Sequence, residues 1–153
     1  LKEEIINQAF KFHSKGNISE AAKLYQYFIN QGLNDPIVFY NYAVILKDLG
    51  KLQEAELSYR KAIEINPNFA EAHSNLGNIL NTLGKLQEAE LSYRKAIKIK
   101  PDYAIGYYLL SLIYSEENLF SKAYEEISLA IKYDSNNHIY QGELNRLKFI
   151  IEE

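Results

Sequence analysis

Apolar residues recur along this chain three and four positions apart, with charged and amide residues filling the positions between them. No stretch shows the strict alternation of a half-buried strand, so the pattern predicts helices throughout and an all-α fold. The pattern also repeats. The fifteen residues from Leu49 to Ile63 return letter for letter as Leu83 to Ile97, an offset of 34 residues. A unit this short cannot bury its own apolar face and must stack on copies of itself. Propagating the period gives four units, 2–35, 36–69, 70–103 and 104–137, and a last segment, 138–151, about one helix long. Together they are expected to form one domain spanning 1–153.

The units align without a gap. Position 8 holds Ala9, Ala43, Gly77 and Ser111, and position 20 holds Ala21, Ala55, Ala89 and Ala123. Small residues there let two antiparallel helices approach, since a larger side chain would push the backbones apart. Larger apolar residues fill the gaps: Tyr25, Tyr59, Tyr93 and Ile127 at position 24, and Ile18, Leu52, Leu86 and Phe120 at position 17. Position 15 reads Gly16, Gly50, Gly84 and Asn118, the residues best able to take the left-handed conformation that ends a helix. Pro67 and Pro101 stop the second helix of the central units. Each unit is therefore read as helix, tight turn, helix.

This small–large pattern with its Gly and Pro punctuation resembles the tetratricopeptide repeat family over 2–137, most specifically in the two central units. Pentatricopeptide repeats have a 35-residue period, which the strict spacing here argues against. The resemblance implies a right-handed superhelical α-solenoid of antiparallel hairpins, four repeats followed by a capping helix. The first unit departs from the pattern: Phe28 replaces a small residue, Gln8 an apolar one, and Gly32-Leu33 the Pro turn. His73 stands where a bulky aromatic is usual and is expected between helices. At the C-terminus Leu144, Leu147, Phe149, Ile150 and Ile151 alternate with polar residues and suggest a solvating cap. At the N-terminus Ile5, Ile6, Phe10 and Phe12 have no cap before them. That surface could face the groove, a preceding repeat, or a second copy of the chain as a homodimer.

In that family the first helix of each hairpin lines a concave groove. The resemblance places Asn7, Tyr40, Asn41, Val44, Lys47, Ser74, Asn75, Asn78, Tyr108 and Leu112 on it, with Glu3, Ile6, Phe10, His13 and Ser14 of the first unit beside them. Asn7, Asn41 and Asn75 share position 6, with Leu109 breaking the series. A primary amide can pair with both N–H and C=O of an extended backbone. The spacing looks like the asparagine ladder in the repeat domain of O-linked N-acetylglucosamine transferases, whose local pattern Asn75-Leu76-Gly77-Asn78 fits. Duplication copies residues whether used or not, so a solvated amide is the competing reading. Tyr40, Val44 and Tyr108 would add apolar contact; Leu109 and Leu112 either join them or pack under the final helix. A cationic clamp for a C-terminal carboxylate would need Lys or Arg where the chain has Ile6, Tyr40, Ser74, Tyr108, Asn75 and Leu109.

Composition narrows the function further. Net charge is −3, and Lys and Arg are interspersed with Glu along the helices, so no concentrated positive face exists for nucleic acid. No apolar run approaches the roughly 20 residues of a membrane span. There is no cysteine, which leaves a cytoplasmic location as the default. Gly50-Lys51 and Gly84-Lys85 lack the earlier glycine of a phosphate loop, and the repeated Glu54/Glu56 and Glu88/Glu90 pairs read as a solvated, ion-paired face. His13, His73 and His138 have no metal-ligand spacing. The expectation is a protein without cofactor, metal or catalysis that holds an extended peptide or partner helix in its groove. The rivals are a substrate-docking arm of a larger glycosyltransferase or other modifying enzyme, motivated partly by a start at Leu1 rather than Met, and a self-associating scaffold.

Overall fold

The computed structural model describes all residues from Leu1 to Glu153. It contains nine α-helices and no strand: α1 (Lys2–Ser14), α2 (Ile18–Asn30), α3 (Pro36–Asp48), α4 (Leu52–Ile65), α5 (Ala70–Thr82), α6 (Leu86–Ile99), α7 (Ala104–Glu116), α8 (Phe120–Tyr133) and α9 (His138–Glu152). None is long and apolar enough to cross a membrane. The chain divides into two compact units, Leu1–Ala72 and His73–Glu153.

The turns inside the hairpins follow from single residues. Gly16, Gly50 and Gly84 all take φ of 76°, and Asn118 takes 61°. At Gly50 the left-handed turn lets its own N–H reach Lys47 O at 2.9 Å and the N–H of Lys51 reach Leu46 O at 2.9 Å, closing the last carbonyls of α3. Starts are specified as clearly. The Asp35 carboxylate accepts from the N–H groups of Ile37 (2.9 Å) and Val38 (3.3 Å), and Pro36 occupies the first helical position, where no N–H is needed. Asn137 caps α9 in the same way, through Ile139 and Tyr140. Where the first repeat lacks its Pro turn, Gly32 supplies a left-handed residue of φ 69° instead.

In the first unit the small residues Ala9, Ala21, Ala43, Ala55 and Ala62 are buried, as close helix approach requires. Phe28, which replaces a small residue, is buried too and shares a cluster with Ala9, Tyr25, Val38 and Ile45; Ala62, at the matching position, sits with Phe39 and Ala72. Each fully buried side chain of that size contributes roughly 1.5–3 kcal/mol by leaving water. Ile5, Ile6, Phe10 and Phe12 pack half-buried against the Tyr25–Phe28 cluster. None of the large apolar side chains of α1 stands fully exposed, and Ile5, Ile6, Phe10 and Phe12 each keep part of their surface open at this end. Ile18, expected as a gap filler, lies at the surface.

In the second unit Leu76, Leu80, Tyr93, Leu110, Ile113, Tyr114 and Ile127 form the interior, and His73 is buried with them. The last helix, α9, turns one face inward. Its buried residues are Tyr140 and Leu147, whereas Phe149 and Ile151 are exposed. Tyr140 and Leu147 are two turns apart on one helical face; Phe149 lies nearly opposite and cannot join them.

Candidate interaction site

The packing of α3 decides what it presents. Val38, Phe39, Ala43, Ile45 and Leu46 go to the core, which leaves Tyr40, Asn41 and Val44 half-buried and Ile37 and Lys47 exposed. Tyr40 lies against Phe69, ring centroids 4.8 Å apart, and edge-on to Tyr59 at 5.8 Å. These contacts fix its ring with little rotamer freedom left to lose on binding. Lys47 pairs at 3.4 Å with Asp48, an exposed contact of little energetic weight.

Asn41 borders a hollow of about 280 Å³ whose other walls are Phe10, His13 and Ser14 of α1 and Tyr25 of α2. The floor is aromatic: Phe10 and Tyr25 lie 6.2 Å apart at a tilt, and His13 meets Tyr25 edge-on. His13 Nδ1 stands 3.2 Å from the Tyr25 hydroxyl, and Ser14 Oγ donates to Lys11 O at 3.0 Å. Burial pushes the Tyr25 hydroxyl up to about 12, so it stays neutral and anchors the imidazole. The hollow thus joins an apolar base to amide, hydroxyl and imidazole groups at its edge, the mixture typical of a ligand pocket. Asn7, on the same helix as Phe10, is exposed and outside it.

The second unit treats its predicted residues differently. Ser74 retains 1 % of its surface and is withdrawn from any partner, because its side chain is too short to emerge from the packed helix. Asn75 is half-buried. Asn78 accepts a hydrogen bond of 2.7 Å from the Tyr93 hydroxyl, which occupies its oxygen and leaves the amide N–H groups as its donors. Tyr108 lies 5.0 Å from the ring of Tyr140, so α9 covers part of it, and Leu112 is half-buried. Arg146 secures α9 beside α7, donating to Glu143 at 2.6 Å and to Ser115 Oγ at 3.0 Å.

A polar cluster that the sequence did not single out joins α6, α7 and α8. The Tyr114 hydroxyl donates to Glu90 at 2.6 Å, Arg94 bonds both Glu90 and Tyr114, and Glu126 stands 3.7 Å from Arg94. The hydrogen bond from Tyr114 holds the Glu90 carboxyl below its ordinary range despite the opposing effect of burial. Burial raises Glu126, with Arg94 only partly offsetting it. Its members come from three consecutive helices, and only Glu90 was named beforehand, as part of a solvated, ion-paired face.

Models of the tetratricopeptide repeat match residues 43–84, 70–103 and 104–137. No curated protein sequence matched. Among solved structures, MamA (41-end) from Desulfovibrio magneticus RS-1 is 22 % identical with a TM-score of 0.87, covering 99 % of this chain and 85 % of that one. YrrB, described as a TPR protein with an unusual peptide-binding site, is 22 % identical with a TM-score of 0.83, over 97 % of this chain and 75 % of its own. The first TPR of Spaghetti, bound to an HSP90 peptide, is 18 % identical with a TM-score of 0.73, over 77 % and 94 %. At such identities the likeness establishes a common fold.

Proposed function

Since the chain belongs to the tetratricopeptide repeat family, we propose that it is a non-catalytic protein-interaction scaffold. It takes an extended peptide or a partner helix on the faces of its first helices. Asn7, Asn41, Asn75 and Asn78 supply hydrogen bonds, while Tyr40, Val44 and Tyr108 supply apolar contact. The observation that supports this reading is the hollow lined by Asn41 together with Phe10, His13, Ser14 and Tyr25, which offers an amide beside aromatic rings on a face that the family resemblance assigns to the groove. Similar folds that hold peptides, among them YrrB and the Spaghetti domain, support the class of partner. The cationic groups a terminal carboxylate would demand are replaced by Tyr40, Ser74 and Tyr108, which favours an internal stretch of a partner chain.

The test begins with capture of partners by the intact chain and continues with calorimetry on the peptide so identified. Asn41→Ala together with Asn75→Ala removes two amides worth about 1 kcal/mol each, so affinity should fall about thirtyfold. Both side chains are half-buried, so thermal melts accompany the calorimetry and separate any loss of stability from the loss of affinity. Unchanged affinity in the double variant would refute the ladder.

A further inference from the structure

A second surface lies on α4. Leu57 is 69 % exposed, a large apolar side chain standing in water. Beside it is a hollow of about 230 Å³, floored by Phe39, Tyr42 and Leu46 and bordered by Ile29 of α2, with room for an aliphatic side chain. The rim is charged: Glu54 stands at one end and Lys61 at the other. Tyr42 donates to Gln26 at 2.6 Å and Ser58 donates to Phe39 O at 2.8 Å, so the polar groups of the floor and rim are satisfied within the unit.

The order of charges along α4 says what covers this surface. Glu54 and Lys61 are equidistant from the midpoint between Leu57 and Ser58, and so are Lys51 and Glu64. When two copies of α4 cross antiparallel about that midpoint, Glu54 of one faces Lys61 of the other, Lys51 faces Glu64, and every pair is of opposite sign. An isologous two-fold contact requires this self-complementarity. We infer that α4 is a homodimerisation surface, in which Leu57 of each copy enters the hollow beside Leu57 of the other. Lys61 pairs with Glu64 of its own helix at 2.9 Å in the single chain; in the dimer it gains a second carboxylate.

The duplicated helix supplies an internal control. Leu91 of α6 is 61 % exposed and is flanked by the same Glu88 and Lys95, but the identical block ends one residue before Lys98, which stands where α4 has Glu64. An antiparallel pair of α6 helices would therefore set Lys85 against Lys98, like charge against like. The dimer selects α4.

Sedimentation equilibrium of the whole chain, from micromolar to millimolar concentration, tests the inference. A monomer–dimer equilibrium is expected that weakens as salt is added. Leu57→Ala should weaken dimerisation about tenfold or more, because both copies lose the buried side chain, and Leu91→Ala should leave it unchanged. Glu54→Lys should weaken it, and adding Lys61→Glu on the same chain should restore it, since the exchanged pair again has opposite signs. These are surface positions, and circular dichroism melts verify that each variant folds. A monomer at every concentration, equal sensitivity to Leu57→Ala and Leu91→Ala, or failure of the exchanged pair to recover would each overturn the inference. A monomer that still binds its peptide would do so without touching the groove reading, which concerns the first helices.

Discussion

Gly77→Ala gives the sharpest test of how the repeats pack. Positions 9 and 43, equivalent to 77, carry buried Ala, and Tyr25 and Tyr59 are buried at the position equivalent to Tyr93. At Gly77 an added methyl group would press most closely on Tyr93 Cε1 and would lie 2.7 Å from Cδ1 and 3.0 Å from Cζ. Carbon atoms rest at about 3.5–4.0 Å, so the ring or the helix must yield by about 1 Å. The ring cannot swing aside freely, because it is buried and its hydroxyl is held by Asn78 at 2.7 Å. Overpacking of this kind costs about 1–3 kcal/mol, against roughly 1 kcal/mol gained from replacing glycine inside a helix. The net expectation is a loss of about 1 kcal/mol, or roughly 3 °C in melting temperature for a chain of this size. The informative step is to add Asn78→Val, which recreates the Ala43-Val44 pair of the preceding repeat and frees the Tyr93 hydroxyl. In that background Gly77→Ala should cost little or become stabilising. Urea and thermal melts followed by circular dichroism would measure all four chains. A rise in stability for Gly77→Ala alone, or the same loss in both backgrounds, would refute the argument that the tethered ring makes this glycine necessary.

Other expectations are more direct. Asp35→Ala removes the acceptor for two orphan N–H groups of α3 and should cost about 1 kcal/mol in the same melts, with Asp35→Asn losing much less. Glu90, whose folded carboxyl is depressed chiefly by Tyr114, contributes stability that is present at neutral pH and lost as pH falls through its folded value; Glu90→Gln should lower the melting temperature at neutral pH and flatten the acid limb. Glu126 is displaced the other way by burial, so its ionisation costs stability at neutral pH and the cost disappears on acidification. Glu126→Gln should accordingly raise the neutral melting temperature and lose that advantage in acid, and opposite behaviour of either variant would show that the cluster does not act as drawn.

The sequence was legible wherever a local rule acts alone. Gly16, Gly50, Gly84 and Asn118 announced four left-handed turns because few other residues tolerate that backbone. The alanines at positions 21, 55 and 89 announced close helix contacts because size at a contact is a property of the residue itself. The 34-residue pairing of helices followed from the repeat itself. The faces of the first helices were legible more coarsely. The family resemblance placed Asn41 and Ser74 on the same groove, yet Asn41 borders a hollow and Ser74 is buried, because exposure depends on the bulk of neighbours that no single repeat specifies.

What the amino-acid order determined by itself, then, is the period, the helices and the punctuation between them, all set by backbone preference and residue volume over a few positions. Only tertiary structure decided that Tyr93 claims the Asn78 oxygen, that Tyr140 rather than Phe149 seats the last helix, and that Glu90, Tyr114 and Glu126 meet. Each of these depends on which side chains from separate helices reach the same few ångströms. A linear pattern records the direction in which a residue points but not what stands opposite it.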